Sequence, residues 1–339
     1  MAHTVREEYR PPTLRRIAPL LLAPIVVAAC PAAAMAQEPD ASAGAGPART
    51  EMTIAVTGIH GRHATAVSGT RLRIEGTVSR FVAGQQVVVG VYRGARRVSS
   101  RTVTILPGED GAGRFRLGQR VRGAGHFVIR AGHAATAELD TVHAEGVGFD
   151  VLPTRLRGGD RGSGVRVVQK HLDELGYVVG RRGSLDARTR RAILAFRKVL
   201  RMARTTSADR AVMGRLAAGQ GRFAVRHRNH GRHVEADLAR QVVALIGAGG
   251  KVERIYPPSS GARSTPTVTG SFRVYRKQPG TNALGMVHSV YFIRGYALHG
   301  YKSVPTYPAS HGCLRLPVPD ARSVYDWARI GTRVDVYRR

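Results

Sequence analysis

The stretch Tyr307–Pro317, "YPASHGCLRLP", sets one cysteine between His-Gly and Leu-Arg, and the reading of that cysteine decides the C-terminal fold. A cysteine attacks carbonyls as a thiolate, so it needs a base to take its proton and donors to hold the resulting oxyanion. His311 and His299 are the candidate bases. On an extended backbone, positions i and i−2 share a face, which would bring His311 close to the sulfur. His299 reaches the site only if its own strand lies alongside. The residues alone do not choose between them.

The other cysteine, Cys30, falls in a stretch that reads as an export signal. Arg6, Arg10, Arg15 and Arg16 precede the uncharged run "IAPLLLAPIVVAACPAAAMA", which closes on Ala34-Met35-Ala36 before Gln37. Residues 1–36 are therefore expected to be a cleaved signal peptide. Two other readings use the same residues: "VAAC" at Val27–Cys30 as a lipoprotein signal, followed awkwardly by Pro31, and Ile17–Ala36 as an uncleaved anchor, weakened by Pro19, Pro24 and Pro31. Either would attach the protein to a membrane through its N-terminus. Arg15-Arg16 fits twin-arginine export poorly. Each version puts the body of the protein outside the cytoplasm, in the periplasm or cell wall. There Cys313 is left without a partner in a compartment where thiols normally pair. A lone exported thiol is more often kept for reactivity than for packing. A buried structural cysteine is the competing reading, and the polar residues before it argue against that.

The 339 residues, 43% apolar, suggest about two or three domains and exclude both a disordered chain and a membrane-spanning bundle. Lys and Arg number 53 against 23 Asp and Glu, a formal charge of +30. For an exported protein such a field favours cell-wall polymers or anionic lipid headgroups, and no nucleic-acid partner is expected. Lysine occurs only at Lys170, Lys198, Lys251, Lys277 and Lys302, and the arginines are scattered, as genomic base composition would also produce. Charge thus supports a wall location without identifying a ligand.

Residues 37–51, "QEPDASAGAGPARTE", read as a flexible spacer. From 52 to 152 the period is two: Leu72, Ile74, Gly76 and Val78 share one face, as do Val87, Val89 and Val91, with turn signals such as "PGEDGAG" between runs. Short strands at this spacing predict an antiparallel β-sandwich similar to bacterial immunoglobulin-like domains, in the role of spacer or docking module. The period then becomes helical. Val165, Val168, Leu172 and Leu175 lead to a cap at Gly176, and a second helix opens at Asp186 with Ile193, Phe196 and Leu200 on one stripe. A third spans about Ser207 to Leu216, so that 155–219 reads as an autonomous three-helix module. Residues 220–232, rich in Gly, Arg and His, read as a linker. His227, His230 and His233 lack a carboxylate or cysteine of suitable spacing, so no metal and no cofactor are expected.

The helical stretch resembles the peptidoglycan-binding type 1 family on Gly159-Asp160, Gln169, Leu172, Leu175-Gly176-Tyr177, Thr189, Ala192 and Phe196. It departs from that pattern at Arg197 and at "MARTTS". The resemblance implies contact with cell-wall glycan; a helical module that binds nothing is the alternative.

From 233 to 339 strand-like runs return in "HVEADLARQVVALI", "KVERIY", "GSFRVYRK", "MVHSVYFIRGYALHG" and "TRVDVY", with one helix at about Asp320–Ala328, giving a mainly-β domain with one short helix. "SHGCLRL", the upstream "ALHG" and "STPTVTGSFRVYRK" together resemble the YkuD-type L,D-transpeptidase family. The resemblance implies a nucleophile at Cys313, a base at His299 and an orienting carbonyl at Gly300. It further implies backbone donors around Gly312 and Cys313 for the oxyanion, His311 and Ser310 shaping and supporting the site, with Ser310 also contacting substrate, and Arg315 anchoring a substrate carboxylate. The implied partners are peptidoglycan stem peptides as donor and acceptor, joined in 3→3 crosslinks with loss of D-alanine. Water as acceptor would make a carboxypeptidase, a protein lysine a protein-to-wall ligase, and a degenerate site a wall-binding scaffold. A papain-like arrangement is excluded because no histidine follows Cys313. Lys302–Ala309 and "KQPGTNALGM" are expected as mobile rims.

Overall fold

The computed structural model describes residues 50–338. The signal peptide, Cys30 and nearly all of the 37–51 spacer lie outside the described residues. Among the described residues no helix is long and apolar enough to cross a membrane.

Strand alternation builds the first part. Strands β1 (Met52–Thr57), β2 (Thr65–Val67), β3 (Arg71–Val78), β4 (Gln86–Arg93), β5 (Arg96–Thr104), β6 (Leu106–Pro107), β7 (Gly113–Arg120), β8 (Gly125–His133), β9 (Val142–His143) and β10 (Val147–Leu152) form two sheets. One runs β1-β3-β7-β6; the other runs β2-β10-β8-β4-β5, with β9 on β8. Leu72, Ile74 and Val78 on β3 and Val87, Val89 and Val91 on β4 turn inward, while Arg71, Arg73 and Val88 face out. The inward residues join Phe115, Phe127, Ile129 and Phe149 in one core. The expected wholly antiparallel pairing fails at one place: β10 and β2 run parallel. They are far apart in sequence, so no hairpin sets their relative direction.

Three helices follow, α1 (Ser163–Glu174), α2 (Ala187–Val199) and α3 (Arg210–Ala217). Asp186 caps α2 by accepting from the Thr189 N–H at 2.8 Å, and Asp209 caps α3 by accepting from Val212 at 3.0 Å. That second cap is why α3 starts later than the expected Ser207. Gly176 follows α1 at φ 90°. The core of the helices is continuous with that of the C-terminal domain. Val165, Leu172, Ile193, Phe196, Val212 and Leu216 share one core with Val242, Ala244, Ile246 and Ile255 of the C-terminal sheet. The helices thus complete their core against a neighbouring sheet. Polar contacts cross the same junction: Ile255 N–H donates to Gly176 O at 2.7 Å, and Arg188 pairs with the buried Asp320 at 2.6 Å.

Residues 220–232 are not a free linker. Phe223 is buried in the shared core, Gly221 O accepts from Tyr177 Oη at 2.5 Å, and Arg228–His230 form one turn of 3-10 helix.

The C-terminal domain has strands β11 (His233–Asp237), β12 (Val242–Ile246), β13 (Val252–Tyr256), β14 (Gly270–Arg273), β15 (Arg276–Thr281), β16 (Val287–Ile293), β17 (Tyr296–Tyr301), β18 (Leu314–Pro317) and β19 (Arg333–Tyr337), with helix α4 (Val318–Trp327). A five-stranded sheet, β13-β12-β11-β19-β14, faces a four-stranded one, β15-β16-β17-β18. Val234, Leu245, Val290, Leu298, Leu314 and Trp327 lie in the core between them. The run "VVALI" of β12 is buried throughout because the helices cover its other face, which is why it does not alternate. "GSFRVYRK" is two strands in different sheets, broken at Val274–Tyr275. Half of the expected rim "KQPGTNALGM" is strand β15, since Arg276–Gln278 pair with Ser289–Tyr291. Helix α4 begins earlier than expected, because Pro319 sits in its first turn, where a missing N–H costs nothing.

Lys198, on α2, is 1% exposed and donates to Pro258 O at 3.2 Å. Burial, reinforced by Arg191 and Arg204, pushes its pKa down to about 6. An unfolded lysine titrates near about 10.4, so between those values the unfolded chain holds a proton the folded chain lacks. Stability from this group therefore falls as pH drops from about 10 toward 6, by about 1.4 kcal/mol per unit, and is flat below that. Lys198→Met is expected to be about 4 kcal/mol more stable than the parent at pH 7, about three units of that slope, and to converge with it above about pH 10. Urea unfolding at both pH values checks this; two parallel pH profiles would contradict it.

Candidate active site

His299 lies on β17 and Cys313 immediately precedes β18. These strands pair in parallel, with Leu298 opposite Leu314 and His299 opposite Arg315. Because i and i+2 share a face, Ala297, His299, Cys313 and Arg315 emerge together, and Cys313 packs on Ala297, Met286 and Tyr291. Strand pairing thus favours His299 as the base over His311. His311 is exposed, and Gly312 beside it has φ 117°, so the backbone there is bent and the i−2 relation does not carry His311 to the sulfur.

His299 is 3% exposed, and its Nδ1 is 2.9 Å from the Gly300 carbonyl. A carbonyl only accepts, so Nδ1 bears the hydrogen and Nε2 keeps its lone pair for a proton. Burial, opposed by that hydrogen bond and joined by the Arg315 charge, holds the imidazole pKa below its usual value. Burial pushes the Cys313 thiol up, against the lowering effects of the Ala297 N–H and Arg315. Sγ lies 3.5 Å from Gly295 O. Both shifts favour the neutral forms, thiol and imidazole, over the charged pair. Alkylation of Cys313 by iodoacetamide is expected to keep accelerating as pH rises past about 8.5, the ordinary thiol value. A rate already on its plateau at pH 7 would show a standing thiolate instead.

Gly300 has no room for a side chain: a Cβ there would lie 2.9 Å from Ala321 Cβ of α4. Arg315 stacks its guanidinium 4.2 Å over the Tyr301 ring and donates to Ala309 O at 3.2 Å, leaving it partly exposed beside the pair. Ser310, expected to contact substrate, is 1% exposed instead. Its hydroxyl donates to Cys313 O at 2.6 Å and accepts from the Gly312 N–H at 3.0 Å. That bond also occupies the Gly312 N–H, expected to serve the oxyanion, and leaves the Cys313 amide as the backbone donor to consider.

A second segment braces this turn, and sequence reasoning missed its role. Thr265 Oγ1 donates to Ser310 O at 2.9 Å and Thr267 Oγ1 to Gly312 O at 2.7 Å. Ser259 exchanges backbone bonds with Arg315, and its hydroxyl donates to Tyr307 O at 2.7 Å. The "TPT" of Thr265–Thr267 was the available signal. The 302–309 rim is itself tied down, because Arg191 of α2 donates to Val304 O at 3.1 Å and to Pro257 O at 2.8 Å.

With this geometry established, residues 231–336 match the family model YkuD, the L,D-transpeptidase catalytic domain. The chain also resembles the crystal structure of an L,D-transpeptidase from Xylanimonas cellulosilytica at 33% identity, covering 55% of this chain and 98% of that one with a TM-score of 0.50. Residues 231–336 belong to the YkuD L,D-transpeptidase family. An L,D-transpeptidase of Stackebrandtia nassauensis is 21% identical over 54% of this chain and 95% of its own, with a TM-score of 0.34. One from Mycobacterium smegmatis is 13% identical over 84% and 99%, with a TM-score of 0.28. No curated protein matches the chain. The family match stops short of the helices, so the YkuD domain rests on a helical layer its own family model does not include.

Proposed function

We propose that this protein is an exported cysteine-dependent L,D-transpeptidase that forms 3→3 crosslinks in peptidoglycan. The observation that carries the reading is the β17–β18 pairing, which sets an Nδ1-protonated His299 and Cys313 on one face of a YkuD domain. In the first step Cys313 Sγ attacks the carbonyl preceding the terminal D-alanine of a stem tetrapeptide, and its proton passes to His299 Nε2. The tetrahedral intermediate collapses, His299 returns the proton to the departing D-alanine amine, and the remaining tripeptide is held as a thioester. The side-chain amine of the third residue of a neighbouring stem then attacks the thioester. Its proton passes through His299 to the sulfur, regenerating the thiol. Arg315 supplies a cation for a substrate carboxylate at the edge of the site. Export is supported by the arginines that precede the apolar run of the N-terminus. Contact with wall glycan through the helices is supported by the sequence resemblance and by a cleft of about 570 Å³ lined by His126, Arg166, Gln169, Lys170 and Arg182.

The test is mass spectrometry of products from disaccharide-tetrapeptide. Dimers lacking one D-alanine support the crosslinking reading; tripeptide alone assigns a carboxypeptidase to the same site. Neither product, with retention on insoluble wall, assigns a scaffold.

A further inference from the structure

His227, His230 and Asp335 stand together on the side of the catalytic domain where the 220–232 segment enters β11, outside the cysteine site. One donor atom from each falls within 4.8 Å of the others. We propose that these three side chains form a binding site for a divalent transition-metal ion of the zinc class.

The turn that presents the histidines is built to hold them. His227 and His230 are separated by one 3-10 turn, in which i and i+3 eclipse, and their rings stack at 4.7 Å and 14°. Buried Glu235 pins the turn by accepting from the N–H groups of Arg226 at 2.9 Å and His227 at 2.7 Å. Asp335 arrives from β19, distant in sequence, with Oδ2 2.9 Å from His230 Nδ1. It is 2% exposed, and its Oδ1 is buried with no hydrogen-bond partner among the described residues. A buried carboxylate oxygen left unsatisfied is an acceptor that a cation would satisfy. Two imidazoles with one carboxylate suit zinc or its neighbours better than calcium or magnesium, and three protein ligands leave a fourth position for water. His233 is not a ligand, because Nδ1 is 2.7 Å from Gly231 O and Nε2 is 3.2 Å from Glu235. Zinc ligands lie at about 2.0–2.1 Å from the ion, so the three side chains close in on binding.

One group opposes the ion. Arg333 Nη1 lies 3.5 Å from His230 Nε2, so its positive charge stands beside the site and repels a cation held there. This gives the site a signature that a passive histidine cluster lacks: removing Arg333 should strengthen binding.

The experiment titrates Zn²⁺ and Co²⁺ into the untagged full chain carrying Cys313→Ala, which removes the thiol as a competing ligand. One ion per chain by calorimetry and the visible absorption of four-coordinate Co²⁺ are expected. His227→Ala and His230→Ala should each weaken binding by more than about 100-fold, with His227→Gln as the milder variant and melting in chelator as the check on folding. Arg333→Ala should bind at least about tenfold more tightly. Absence of saturable one-to-one binding, binding unchanged in the double His227→Ala/His230→Ala variant, or weaker binding in Arg333→Ala would overturn the proposal.

Discussion

Cys313→Ala is expected to stop D-alanine release from a stem tetrapeptide altogether while leaving the fold intact. In the proposed mechanism the sulfur is the atom to which the acyl group is transferred, so its loss removes the reaction path and not merely part of its rate. The cost to stability is small, because Cys313 is only partly buried, against Met286, Tyr291 and Ala297, and alanine keeps the Cβ. Deleting one sulfur there costs about 1 kcal/mol. Thermal unfolding beside product analysis separates the two roles. A large drop in melting temperature would return Cys313 to a structural thiol.

Gly312→Ala is expected to disable the site as thoroughly by a different route. Gly312 has φ 117°, a conformation that side-chain-bearing residues rarely adopt, and a Cβ would lie 2.3 Å from Cε1 of the Tyr296 ring. The ring belongs to β17, the strand that carries His299, so relief of the clash displaces the ring, the Gly312–Cys313 turn or that strand. A displacement of about 1 Å at a reacting pair is worth about 100-fold in rate, and overpacking at a strained backbone position costs about 1–3 kcal/mol. The variant should therefore lose at least about 100-fold in turnover, with its melting temperature lowered. The alkylation rate of Cys313, which needs the sulfur but not the aligned base, should change far less. Near-parental turnover would mean that the turn is not held as described.

Much of this was legible in the residues because the causes are local. Leu72, Ile74 and Val78 alternate with outward-facing residues; Asp186 and Asp209 offer side-chain acceptors where helices begin; His299 and Cys313 sit in a pattern shared with a known family. What stayed hidden depends on partners remote in the chain. Val242, Ala244 and Ile246 read as an ordinary strand, and nothing nearby in sequence announces that α1, α2 and α3 complete their core against it. Ser310 reads as a substrate contact until its hydroxyl is seen bonded to the backbone of Cys313 and Gly312. The histidines of 220–232 read as lacking a carboxylate because Asp335 reaches them from β19. Thr265 and Thr267 belong to the same class, since their hydroxyls brace carbonyls of a turn far along the chain.

The central claim is a covalent thioester on Cys313, and intact-protein mass spectrometry of a rapidly quenched reaction with stem tetrapeptide measures it directly. The account predicts a mass increase equal to the tetrapeptide less D-alanine, located on the peptide containing Cys313 and removed by hydroxylamine. An unmodified mass while D-alanine is released, or an acyl group on another residue, would contradict it.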